Sequence, residues 1–301
     1  ETLAKYYNTI HLNRESLLSS EAEWLREKGI KLVFVDAIPL ACVAGTMAGA
    51  TTVLVSNFSW DFCFKEMLTK LSDGCLIDPN TIIRYNAMVQ QCEQDTSSCT
   101  CYMRLPGATP LPTGFPQQKA LFGPLIARQP RNFDIRKVFG VPDTTKVLLL
   151  GFGGHSATWQ LSDNFLPEGW LCWVLGAKAS DMPSSRFTSL SPSAYVPDLI
   201  RAADAVLGKL GYGFVSECVT NGTALIYVPR VDWPEERFLE KLLVEDYNAG
   251  VRMSKDCFLS GNWSPYLLDA VRRKGEWLCG DEQFPQASAQ TVQTLCNLMQ
   301  S

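Results

Sequence analysis

Two glycine-rich junctions and one carboxylate carry most of the chemistry that this sequence offers. Gly151-Phe152-Gly153-Gly154 follows the apolar run Lys146-Val147-Leu148-Leu149-Leu150, and Gly208-Lys209-Leu210-Gly211-Tyr212-Gly213 follows Ala205-Val206-Leu207. Glycine lets backbone N–H groups approach an anion, and the amino end of a following helix favours negative charge, so both junctions suit phosphate. His155 adds a side-chain donor and Lys209 a cation at the same places. Neither run is the dinucleotide fingerprint or the P-loop, because the spacing and the Lys-Ser/Thr pair are absent. Each alone also describes a tight turn without a ligand. Glu217 stands four residues after Gly213, about one helical turn along. A carboxylate there reaches both hydroxyls of a ribose whose diphosphate sits at the helix start. The alternative is an ordinary solvated helix residue.

A second group lies in the first half. Asn57-Phe58-Ser59-Trp60-Asp61-Phe62 comes directly after the apolar run Thr51-Thr52-Val53-Leu54-Val55. In open α/β sheets such positions line the ligand crevice. Trp60 offers a ring face to a polar ring, and Asn57, Ser59 and Asp61 offer hydrogen bonds. The competing reading makes the three aromatics core and Asp61 a helix cap. Asp36, the first polar residue after Lys31-Leu32-Val33-Phe34-Val35, has the same two readings: it orients an acceptor or catalytic group, or it caps the helix after Pro39. Of the two histidines, His11 precedes the first strand and reads as structural or exposed. His155 stands on the phosphate side, where it suits charge stabilisation.

Alternating elements must hold these residues. Residues 16–28 carry helical periodicity with Gly29 at the stop, and 31–35 form a short apolar strand of the kind buried on both faces of a parallel sheet. Residues 41–48 read as a helix and 51–55 as the next strand. After a helix over 82–94, proline and glycine punctuate 106–116, and a polar stretch over 127–145 bridges to the second half. There, strands at 146–150, 169–176, 187–190, 205–207 and 224–228 alternate with helices that begin near Tyr195 and Phe214. This rhythm predicts doubly wound parallel sheets.

Composition sets outer limits. The 301 residues are 46% hydrophobic and 19% charged, which excludes global disorder, and the length favours two domains of about 150 residues. With 27 basic and 31 acidic residues, the net charge of −4 gives no support to broad nucleic-acid binding. No apolar stretch reaches the length of a membrane span. Eleven cysteines, an odd number in a chain too large to need staples, argue against a disulfide framework. With no basic start before an apolar signal segment, a cytoplasmic protein is expected. The chain lacks the opening strand and glycine turn common in nucleotide-binding α/β halves, so its N-terminal domain is expected to be incomplete.

The run Gly208-Lys209-Leu210-Gly211-Tyr212-Gly213-Phe214-Val215-Ser216-Glu217 resembles the donor-nucleotide motif of GT-B glycosyltransferases. The likeness extends through Pro229-Arg230 and Trp233-Pro234-Glu235-Glu236. Tyr195-Val196-Pro197-Asp198-Leu199-Ile200 resembles the segment before that motif. A nearer likeness, from Leu17 to about Ala270, is to the N-terminal glycosyltransferase-like region of plant L-arabinokinases. It includes Asn57-Phe58-Ser59-Trp60-Asp61-Phe62, Gly151-Phe152-Gly153-Gly154, Leu166-Pro167-Glu168-Gly169-Trp170 and Asn262-Trp263-Ser264-Pro265-Tyr266-Leu267.

The resemblance implies an α/β, GT-B-like fold of two Rossmann-like domains facing a cleft. Residues 1–135 would form the acceptor side, 136–285 the nucleotide-sugar side, and 286–301 a helix returning toward the first domain. It places Gly153, Gly154, Gly211 and Gly213 at the phosphates, with Lys209 and Tyr212 among the nucleotide-binding residues, Tyr195 and Val196 near the base, and Glu217 on the ribose. Asn57, Trp60, Trp233, Glu235 and Glu236 would meet the donor sugar or the acceptor. Neither a metal nor a further cofactor is implied. The expected reaction moves a sugar from a nucleoside diphosphate, UDP favoured, to an acceptor hydroxyl. Asp36 or Asp61 would act as base, with His155 stabilising the leaving diphosphate. A non-catalytic nucleotide-sugar-binding or subunit-pairing protein, and an epimerase or hydrolase, are the alternatives. Kinase activity is not implied, because it belongs to a separate sugar-kinase domain for which these residues hold no motif.

Overall fold

The structure is a computed structural model that describes all residues except 75, 133, 153–159, 192, 279–286 and 301. The chain divides into two compact units. One comprises Glu1–Leu125, Trp233–Phe238 and Pro285–Ser301, and the other Ile126–Asp232 and Leu239–Phe284.

The first unit begins with helices α1 (Thr2–Tyr6) and α2 (Arg14–Glu27), followed by strand β1 (Leu32–Val35), α3 (Pro39–Met47) and β2 (Thr51–Ser56). Then come α4 (Trp60–Asp73), α5 (Pro79–Ser97), β3 (Cys101–Arg104) and β4 (Ala120–Phe122). The four strands form a parallel sheet in the order β1-β2-β3-β4. Pro39 and Pro79 open their helices at positions where a missing N–H costs nothing. The Asp78 carboxylate accepts from the Thr81 N–H and caps α5. Phe64 and Leu68 of α4 pack with Met88 and Val89 of α5 and with Leu3 of α1. The central strand β2 is buried along nearly its whole length. The β1 strand departs from expectation: among the described residues it lies at the sheet edge beside β2, and Phe34 is half exposed rather than covered on both faces.

The second unit contains α6 (Ile135–Val138), β5 (Lys146–Gly151), β6 (Trp170–Leu175), β7 (Phe187–Leu190), α7 (Val196–Ala202), β8 (Ala205–Gly208), α8 (Tyr212–Thr220) and β9 (Leu225–Tyr227). The chain continues through α9 (Glu236–Lys241), whose first residues count with the first unit, to β10 (Gly250–Arg252), α10 (Lys255–Ser260) and α11 (Ser264–Arg273). The six strands are parallel, in the order β10-β9-β8-β5-β6-β7. Val147, Leu148, Leu149 and Leu150 of β5 are fully buried, as a strand covered on both faces requires, each contributing roughly 1.5–3 kcal/mol. The β10 strand is too short and plain to stand out in the sequence, and its pairing with β9 creates it.

The division falls after Leu125 and not at the expected 135. The cause is local: residues 126–131 are hydrogen-bonded to α7 and α8 of the second unit. Likewise Trp233–Phe238, expected in the second domain, stands in the first, because Glu235 is bonded to Asn57. The terminal helix α12 (Ala287–Gln300) is also part of the first unit. Among the described residues no helix is long and apolar enough to cross a membrane.

Candidate functional site

The second sheet fixes where a ligand can bind. After β5 the chain adds β6 and β7 on one side, then crosses to place β8 on the other. The carboxyl ends of β5 and β8 are therefore neighbours at a reversal of strand order, the usual binding point of open α/β sheets. Gly151 pairs with Gly208 at those two ends. A side chain at Gly208 would collide with the Gly151 carbonyl, so close strand packing requires that glycine. Both glycine-rich junctions leave from here. Gly153, Gly154 and His155 of the first lie outside the described residues.

The second junction opens into a pocket of about 450 Å³. Lys209, Gly211, Tyr212, Gly213 and Glu217 line it, together with Leu175 at the end of β6, Gly176 after it, Val196 of α7, and Arg128. Gly211 is the N-cap of α8, in extended conformation, and Gly213 is the second residue of the helix. A Cβ added to either meets nothing within 4 Å. The fold itself does not demand glycine at these two positions, and the room they leave belongs to the pocket. Gly211, the N-cap residue, has no side chain to cap the amino end of α8. Its first-turn N–H groups and positive dipole end are thus presented to an anion.

Glu217 lies one turn along the same helix and is 2% exposed. Its Oε1 accepts a hydrogen bond of 2.6 Å from Arg128 Nε. Burial holds the Glu217 carboxyl above its ordinary value, against the opposing pull of that guanidinium. The Arg128 guanidinium also lies over the Tyr195 ring, 5.5 Å from its centroid. The backbone on either side of Arg128 is tied down. The Ile126 N–H donates to Tyr212 Oη at 3.1 Å, and Tyr195 Oη donates to the Gln129 carbonyl at 2.8 Å. The buried Asp198 carboxylate accepts from the Arg131 N–H at 2.6 Å and from Arg131 Nε at 2.7 Å. Residues 126–131 form a strap along α7 and α8. Sequence reasoning missed Arg128, which is 89 residues from its partner. Two arginines three apart in a weakly charged chain were the available signal.

The expected site residues separate into groups. Lys209, Gly211, Tyr212, Gly213, Glu217 and Val196 share the pocket of the second unit, while the Tyr195 ring faces Arg128 and Arg131. Asn57, Trp60, Trp233 and Glu235 cluster in the first unit. Asn57 Nδ2 donates to Glu235 Oε1 at 2.7 Å, Trp233 Nε1 donates to Glu235 Oε2 at 2.8 Å, and Trp60 meets the Trp233 ring edge-on. Glu236 is buried beside them in sequence. Asp36 is exposed at the carboxyl end of β1. Asp61 is buried in the first turn of α4, where it accepts from Thr96 Oγ1 of α5 at 3.1 Å, and burial raises its carboxyl to about 6. Among the described residues no group of three His, Cys, Asp or Glu could hold a metal ion.

No protein-family model matches the chain. It is 36% identical to L-arabinokinase of Arabidopsis thaliana over 275 residues, which is 91% of this chain and 25% of that protein. The chain thus spans about a quarter of the length of this curated relative. A UDP-glucosyltransferase from Polygonum tinctorium superposes with a TM-score of 0.62 at 13% identity, over 96% of this chain and 81% of that one. The glycotransferase of kitacinnamycin superposes with a TM-score of 0.60 at 14% identity, over 93% and 80%. Such low identities speak to architecture alone. The chain has the GT-B glycosyltransferase fold in two Rossmann-like units, and over most of its length it is similar to a quarter of plant L-arabinokinase.

Proposed function

We propose that the second unit binds a nucleoside diphosphate-sugar, UDP favoured, and that the protein transfers the sugar to a hydroxyl acceptor. One observation carries this reading: an uncapped helix amino end with two glycines the fold does not require, opening on a pocket that contains a buried carboxylate one turn along. In this reading the N–H groups of α8 and Lys209 offset the charge that grows on the departing diphosphate. Glu217 accepts from the ribose hydroxyls, and Val196 flanks the base. The acceptor hydroxyl loses its proton to a base, for which Asp36 is the exposed candidate. Calorimetry with UDP, GDP and their sugars tests the binding step. Failure of all of them to bind the folded chain at about millimolar concentration removes the foundation of the proposal. Replacing Glu217 by Gln keeps size but removes charge, and UDP affinity is expected to fall about tenfold.

A second reading, nucleotide-sugar binding without transfer, draws on Asp61. That carboxylate is spent on Thr96 inside the first unit, which leaves one exposed carboxylate of the two considered for the base. An acceptor panel followed by chromatography separates the readings. Transfer that falls about a hundredfold in Asp36→Asn with unchanged UDP affinity supports catalysis. Binding without turnover by the parent protein supports the alternative.

A further inference from the structure

Arg128 combines two engagements in one side chain. Its Nε is held by Glu217 and its guanidinium plane covers Tyr195, whereas its two terminal amino groups have no hydrogen-bond partner among the described residues. The strap backbone around it is pinned at Ile126, Gln129 and Arg131. The side chain, 58% exposed, is the part of the strap that can exchange one partner for another. A ligand that places ribose hydroxyls on Glu217 competes for the oxygen that Arg128 occupies. A bare nucleoside gains nothing in return for displacing the cation. A nucleoside diphosphate carries its negative oxygens into the same pocket, where a released guanidinium can bind them two-pronged.

We infer that Arg128 is a specificity-determining residue: it rests on Glu217 in the free protein and passes to the phosphates of an incoming ligand, so that the pocket takes nucleoside diphosphates and discriminates against nucleosides. The inference rests on the donor-binding reading above and adds the residue that sets the ligand class. Glu217 alone would accept either ligand, and the amino end of α8 alone would accept phosphate without regard to the ribose.

Titration of UDP and of uridine into the parent chain and Arg128→Ala tests it, at a pH well above the ordinary glutamate range. Uridine is expected to bind the variant about threefold more tightly, because no cation has to be displaced. UDP is expected to bind about tenfold more weakly, because the phosphate contact is gone. In a Glu217→Gln background, removal of Arg128 should no longer tighten uridine, since no carboxylate remains to be released. Uridine affinity that is unchanged or weaker in Arg128→Ala overturns the inference, and so does undiminished UDP affinity. If the parent chain binds neither ligand, the donor-binding reading itself fails; if it binds UDP and the variant is indifferent, only the role of Arg128 fails.

Discussion

Two buried carboxylates show how surroundings decide a residue's part. Glu217 has a cation against it, whereas Asp61 has neutral hydrogen bonds, that of the Thr96 hydroxyl among them, which fall short of offsetting the loss of water. The folded value of Asp61, about 6, lies above the ordinary aspartate value of about 3.9, so the native state holds its proton longer than the unfolded chain. This contribution to stability is full below about pH 4 and is lost as pH rises through about 6. Asp61→Asn keeps a partner for Thr96 and removes the charge. Its chemical denaturation at about pH 7 should show a gain of about 1–2 kcal/mol over the parent, and the gain should shrink at about pH 5. A less stable variant at neutral pH contradicts this account of Asp61. The sequence could show that Glu217 follows the glycines by one turn, since that spacing is local. It could not show Arg128, because the strap reads as a polar bridge and the pairing arises only once residues 126–131 lie along α7 and α8.

At the scale of elements, α8 sets stability against binding. Gly213 has an ordinary helical position with open space where a Cβ would point. Gly213→Ala should therefore raise stability by about 0.5–1 kcal/mol through the lower entropy of the unfolded chain. Under the proposed donor-binding reading, the same methyl enters the space assigned to phosphate, so UDP affinity should drop. Denaturation and calorimetry on one preparation check both, and an alanine variant that binds UDP like the parent would show that no ligand approaches there. A second element-level device is Asp204, just before β8. It accepts from the Val147 N–H and pairs with Arg136 of α6 and Lys146 of β5. Burial pushes its carboxyl up, but these partners hold it below its ordinary value. Its contribution is thus present above the ordinary aspartate range and lost as pH falls through the depressed folded value. Asp204→Asn should cost about 1–3 kcal/mol at neutral pH, read from denaturant midpoints, and a neutral substitution would remove the network from the account. The strands of the second sheet were legible because a parallel strand buried on both faces is a continuous apolar run; β10, three residues long, carries no such signal.

On the scale of the whole molecule, doubly wound sheets were legible from the alternation of apolar runs and helical periods. The assignment of Trp233–Phe238 to the first unit was not, because a long-range bond from Asn57 to Glu235 decides it. The net charge of −4 does not attract an anionic ligand, so under the proposed reading affinity for a diphosphate comes from local groups: Lys209, Arg128 and the amino end of α8. Binding to the native state alone should also protect the second unit against unfolding, by about 2.7 kcal/mol at a hundredfold excess over the dissociation constant. The most direct test is amide hydrogen exchange on the intact chain with and without saturating UDP. The account predicts slowed exchange concentrated in residues 209–217, with smaller effects around Gly176, Val196 and Arg128. Saturating UDP that leaves the exchange of 209–217 unchanged would contradict the claim that α8 and its glycines form the donor site.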